Sequence, residues 1–73
     1  MITLDLHGTK HDKADDKVRK FLNFAELPCE IVTGNSPKMK MIVKSVVEEY
    51  GWYHREKDNY NYGALIISER KYR

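Results

Sequence analysis

Residues 29–51 read CEIVTGNSPKMKMIVKSVVEEYG, and this stretch decides the fold. Cys29 to Thr33 is short, with Ile31 and Val32 at its centre, and reads as a buried strand. Gly34-Asn35-Ser36-Pro37 breaks it. Ser36 is a natural helix N-cap, and Pro37 suits the first helical position because its missing N–H costs nothing there. Met39, Ile42, Val43, Val46, Val47 and Tyr50 then recur at i, i+3, i+4, i+7, i+8 and i+11. That spacing predicts an amphipathic helix, which Gly51 stops. A strand feeding a helix through a tight turn is the βα half of a parallel-sheet unit and calls for a matching strand nearby.

Upstream, Ile2, Leu4 and Leu6 alternate with Thr3, Asp5 and His7 at strand period until Gly8 ends the run. Asp12 is placed to cap a helix whose apolar stripe is Ala14, Val18, Phe21, Leu22 and Ala25. Pro28 closes the loop after it. Downstream, Trp52 to Lys57 reads as a strand, Asp58 to Tyr62 as a turn, and Ala64 to Ser68 as a buried strand. The order is β-α-β-α-β-β, a single domain over residues 1–73 with its core about 2–69. The fold class is an α/β (α+β) two-layer sandwich with a mixed four-stranded sheet. Right-handed crossovers make the first two strands parallel and put both helices on one face, while the last two strands form an antiparallel hairpin. The other face is expected to lie open to solvent or to a partner.

Composition narrows the function classes. A chain of 73 residues with 41% hydrophobic and 33% charged residues is an ordinary small globular domain, too short for a cleft between domains. The longest aliphatic run, Ala64 to Ile67, cannot span a bilayer, so no membrane role is expected. No basic-then-apolar leader opens the sequence, and the single Cys29 fits a reducing compartment, so the expected location is the cytoplasm. Net charge is +2, with −1 over residues 1–36 and +3 over residues 37–73. This permits nucleic-acid binding without requiring it.

The candidate site follows from the topology. Asp5 and His7 stand two apart on the first strand and are expected on the open face, roughly 7 Å between Cα atoms. That strand ends at His7-Gly8, beside the parallel strand's end at Thr33-Gly34, the carboxyl edge where open α/β sheets bind ligands. There the Gly34-Asn35-Ser36 turn opens onto a helix N-terminus, whose unpaired amides and dipole attract an anion. Lys38 and Lys40 fall in the first helical turn, where the dipole disfavours a cation by up to about 1 kcal/mol. They either project into water or meet a bound phosphate.

These residues also carry a likeness. Leu4-Asp5-Leu6-His7-Gly8 resembles the LDLHG signature that opens the Smr (small MutS-related) domain. The resemblance continues through Ala14, Val18, Phe21 and Leu22, then at Ile31-Val32-Thr33-Gly34, where that family has an apolar strand ending in a TGxG or HGxG loop. Met39, Lys40 and Val43 follow it, as does Asn61-Tyr62-Gly63 before Ala64 to Ile67. The likeness spans residue 3 to about 68. Ser36 departs from it, standing where the family loop carries its second glycine. The resemblance implies a domain that binds DNA or RNA, with endonuclease activity in several members, and a fold similar to the C-terminal domain of translation initiation factor three.

Two function classes follow. In the first, the chain is an endonuclease in which Asp5 and His7 carry the acid–base chemistry. A histidine, with an ordinary pKa near about 6.5, exchanges protons at neutral pH, and Asp5 either orients the imidazole or stabilises its charged form. Gly8, Thr33, Gly34, Asn35, Ser36, Lys38, Lys40 and Asn61 hold the phosphate. No cofactor is expected, and a divalent cation such as magnesium stays open. In the second, the chain is a non-catalytic adaptor that binds nucleic acid or a recruiting protein. Other groupings carry less. His7-x3-His11 is broken by Gly8, so no metal site is expected, and Cys29 reads as a buried small hydrophobe. Trp52, Tyr53, His54, Arg55, Lys57, Tyr60 and Tyr62 mix aromatic and basic residues that either stack bases or fill the core. Lys10, Lys13, Lys17 and Lys20 stripe the first helix as a solvated face or a backbone-binding track.

Overall fold

A computed structural model describes residues 1–57 and 63–69. Its elements are β1 (Thr3–Asp5), α1 (His11–Phe24), β2 (Cys29–Val32), α2 (Pro37–Glu49), β3 (Tyr53–Glu56) and β4 (Ala64–Ser68). The expected order and the mixed four-stranded sheet are present: β1 pairs parallel with β2, and β4 pairs antiparallel with both β2 and β3. The sheet order is β1-β2-β4-β3, so the hairpin inserts its second strand, not its first, against β2.

Register explains the two layers. Cys29 faces Ile67 and Ile31 faces Leu65 across β2 and β4, so all four side chains share one face. They form one core with Ala14, Val18 and Leu22 of α1 and with Met39, Val43, Val46 and Val47 of α2. Both helices therefore cover the same side. Burial also pushes the Cys29 thiol up to about 11, as desolvation disfavours the thiolate. Arg19 clamps the helix layer, meeting Asp15 on its own helix and Glu49 on α2, each at 2.5 Å. Tyr50 adds a hydroxyl donated to Asn23 Oδ1 at 2.8 Å.

The helix ends follow local chemistry. Ser36 Oγ accepts the Met39 N–H at 3.1 Å, the expected N-cap bond, with Pro37 at the first helical position. At the other end of α2, Gly51 takes φ +77°, the Gly51 N–H reaches Glu48 O and the Trp52 N–H reaches Val47 O, a Schellman stop. The expectation for α1 needs correction. Lys10 occupies its N-cap position with no side-chain bond, and Asp12 lies inside the first turn. Helix α1 begins two residues before a cap at Asp12 would allow, so Asp12 lies in its first turn, where its charge meets the dipole instead of capping the helix.

Two further expectations change. Ile2 is 53% exposed instead of facing the helices, because β1 starts at Thr3 and Ile2 lies at the amino edge of the sheet. The second face is not open at its centre: Ala64, Ile66 and Ser68 are 1%, 3% and 6% exposed. Across it run the rows Thr3, Glu30, Ile66, Arg55 and Asp5, Val32, Ala64. Lys57 Nζ meets Glu30 Oε2 at 3.0 Å, spanning β4 from the β3 side to β2, and the Thr3 hydroxyl donates to Glu30 Oε1 at 3.4 Å. The Lys57–Glu30 pair thus crosses this face over β4, its apolar stems lying along the sheet while the charged heads meet. Among the described residues, no helix is long and apolar enough to cross a membrane.

Candidate functional site

The carboxyl edge is built by two turns. The first leaves β1: the Leu6 N–H adds one ladder bond to Val32 O, and the Thr9 N–H then closes a turn onto Leu6 O at 2.9 Å. Gly8 sits third in that turn at φ +80°, a conformation that a Cβ disfavours. Asp5 Oδ1 accepts the backbone N–H of His7 at 2.8 Å. The carboxylate therefore shapes the turn: His7 lies past the strand end, not on it, and its imidazole approaches the second turn.

The second turn joins β2 to α2. Gly34 takes φ +69°, and a Cβ built there would lie 4.0 Å from His7 Cδ2. One carbonyl anchors this turn. Gly63 O accepts the Thr33 N–H at 2.7 Å, the Gly34 N–H at 3.0 Å and the Thr33 hydroxyl at 3.3 Å. Thr33 is buried, at 4% exposure, so its hydroxyl holds the turn and does not face a ligand. The Gly34 amide is likewise committed. What remains for an anion among the described residues are the Asn35 and Lys38 amides, neither of which has a backbone partner, and the α2 dipole.

The two lysines separate. Lys38 is exposed at the edge. Lys40 is turned into the packing between α2 and β3, its side chain 17% exposed and its Nζ 3.4 Å from Glu56 Oε1. Glu56 Oε2 is buried without a partner among the described residues, so the Lys40 charge serves a carboxylate that needs it. Asn61, Tyr60 and Tyr62 lie outside the described residues. Of the hairpin aromatics, Trp52 packs against the core with its ring 5.0 Å from Tyr50, whereas Tyr53 is 47% exposed.

One residue belongs here that sequence reasoning set aside. His11 opens α1, and its Nε2 lies 3.5 Å from Ser36 Oγ. Its signal in the sequence is the His7-x3-His11 spacing, which as a helical metal pair is broken by Gly8. Because β1 and β2 are parallel neighbours, their following loops lie side by side, which brings both histidines against residues 34–36. The edge thus gathers two imidazoles, a hydroxyl and a helix N-terminus, groups that can hold an anion and exchange protons beside it. Among the described residues, no three His, Cys, Asp or Glu side chains gather closely enough to hold a metal ion. No family model, curated protein or solved structure matches the chain.

Proposed function

We propose that the chain is a nucleic-acid-binding domain of the Smr kind that cleaves phosphodiesters at its carboxyl edge, in the cytoplasm. The observation that carries this reading is the His7 imidazole seated against the Gly34 turn, 4.0 Å from the position of a Gly34 Cβ. A phosphate drawn to the Asn35 and Lys38 amides by the α2 dipole would lie within reach of that ring. His7 then acts as general base on an attacking hydroxyl, Lys38 supplies charge, and Gly8 and Gly34 let the backbone come close. Asp5 sets the His7 backbone and so the ring's starting point. The LDLHG run and the Thr33-Gly34 step, similar to the Smr pattern, support the same assignment.

A second reading has its own observation. The Gly34 amide and Lys40 are both committed within the fold, to Gly63 and Glu56, which leaves fewer groups for a transition state than the Smr likeness implies. That favours a non-catalytic module that binds nucleic acid or a recruiting protein. Purified chain assayed against DNA and RNA oligonucleotides, with and without magnesium, separates the two. The enzyme reading requires cleavage that His7→Ala lowers at least about 100-fold, with affinity kept within a few-fold. Equal cleavage by wild type and His7→Ala sinks it, and binding without any cleavage leaves the module.

A further inference from the structure

His7 alone gives the edge one proton-transfer group, while breaking a phosphodiester asks for two. The attacking hydroxyl must lose a proton and the leaving oxygen must gain one. Resting on the cleavage reading, we propose that His11 is the second catalytic residue of this site, the acid that protonates the leaving oxygen, and that Ser36 is its positioning residue.

The geometry supplies the argument. Both imidazoles approach one short turn: His7 Cδ2 lies 4.0 Å from the position of a Gly34 Cβ, and His11 Nε2 lies 3.5 Å from Ser36 Oγ. Cα atoms two residues apart are separated by at most about 7 Å. The residues that the two rings touch are thus near enough for one phosphate at the turn to reach both rings, each through a hydrogen bond of about 2.8 Å. The α2 N-terminus lies at this turn, so its dipole draws negative charge toward the residues that the two rings touch.

Ser36 fixes one of the rings. Its Oγ already accepts the Met39 N–H and lies 3.5 Å from His11 Nε2; in the imidazolium both ring nitrogens carry hydrogens, so Nε2–H donates to the second lone pair of that hydroxyl. With Nε2 so engaged, Nδ1 is the nitrogen that gains and loses the proton. The step balances. Neutral His7 takes the proton of the attacking hydroxyl as its oxygen bonds to phosphorus. The bond from phosphorus to the leaving oxygen breaks, that oxygen keeps the electron pair, and it receives the proton from the His11 imidazolium. His7 ends charged and His11 neutral, and exchange with water restores both. The attacking hydroxyl is either water or a ribose 2′-hydroxyl.

Leaving-group dependence tests the assignment, because an acid matters only when the leaving oxygen is basic. The substrates are the dinucleotide UpA and uridine 3′-(4-nitrophenyl phosphate), with their 2′-deoxy counterparts as a parallel arm. His11→Ala should lose about 100-fold or more on UpA and less than about 5-fold on the nitrophenyl ester. His7→Ala should lose heavily on both. Ser36→Ala should show the His11→Ala pattern in weaker form, in kcat and not in KM, and Ser36→Thr, which keeps the hydroxyl, should restore it. Activity confined to the 2′-hydroxyl substrates identifies the ribose as attacker; activity on both arms identifies water. Equal losses on UpA and the nitrophenyl ester, or no loss on either, in a His11→Ala variant with an unchanged thermal melt overturn the role of His11 while the cleavage reading stands. A wild type inert on every substrate overturns the cleavage reading and the role together.

Discussion

Asp5 Oδ1 accepts the His7 N–H at 2.8 Å, so the carboxylate grips the backbone of the histidine two residues on. This is an Asx turn, and it separates the two functions that an aspartate beside a histidine can serve. An asparagine keeps the accepting oxygen and loses only the charge. Asp5→Asn should therefore keep stability within about 0.5 kcal/mol, whereas Asp5→Ala should cost about 1 kcal/mol in urea titration. In the cleavage assay Asp5→Asn should stay within a few-fold of wild type. A loss as deep as that of His7→Ala would mean that the carboxylate takes part in proton transfer.

Gly34 provides a second test of the turn. At φ +69° an alanine is strained, although its methyl would meet His7 Cδ2 at an ordinary 4.0 Å. Gly34→Ala should lower stability by about 1–2 kcal/mol through the backbone alone. Nuclear magnetic resonance should find the His7 ring signals barely moved. A large displacement of those signals with unchanged stability would contradict the backbone argument.

Lys38 and Lys40 should behave as opposites. Lys40→Met strips Glu56 of its cation and should cost about 1–3 kcal/mol of folding stability. Lys38→Met, on an exposed side chain, should cost less than about 0.5 kcal/mol. For nucleic-acid affinity the order reverses: losing Lys38 should reduce the slope of log affinity against log salt by about 0.7–0.9. Equal salt slopes in wild type and Lys38→Met would remove Lys38 from the phosphate contact.

Cys29 gives the pH dependence. Its thiol is pushed up to about 11 from an ordinary 9.0 because the buried site disfavours the charged form. The folded chain therefore holds a proton that the unfolded chain releases first. The stabilisation is complete below pH 9 and is lost as pH rises through about 11. Its size is on the order of 2 kcal/mol. Urea midpoints between pH 8 and 11 should fall more steeply for wild type than for Cys29→Ala, and parallel curves would refute the shift. The same burial should leave the folded thiol unreactive toward iodoacetamide at pH 8.

Val47 tests the helix face that the sequence singled out. It is fully buried in the one core, so Val47→Asp places a carboxylate there without a partner and should unfold the chain. A cooperative melt within a few degrees of wild type would refute the assignment.

Much of this architecture is legible because it rests on period and punctuation. The spacing from Met39 to Tyr50, bounded by Ser36 and Gly51, defines α2 within a residue, since cap, proline and glycine all act locally. Ala64 to Ser68 is readable as a buried strand because a central strand is apolar on both faces. Its place between β2 and β3 is not readable, since either arm of a hairpin can dock. The ion pair across β4 also escapes the sequence: it needs Lys57 to reach across a strand to Glu30, a contact between residues 27 apart in sequence whose meeting depends on that docking. At the site, the Thr33-Gly34 step is visible as a turn, but its anchor on Gly63 is not, for the same reason. His11 is missed because the spacing from His7 suggests a helical pair, whereas the two residues lie on either end of a β1–α1 turn and meet a second turn that is distant in sequence.

The anchoring carbonyl of Gly63 bears on how the chain is made. During synthesis residues 1–57 emerge first and bring out both helices, β1, β2 and β3, yet among the described residues β3 has no neighbour in the sheet except β4. Until Ala64 to Ser68 arrives, β2 has a bare edge and the Thr33-Gly34 turn lacks the acceptor that fixes it. The same few residues that seal the sheet therefore set the His7 and His11 flanks in place. A ribosome-bound fragment is left without an assembled edge, and the candidate site matures in the step that completes the fold.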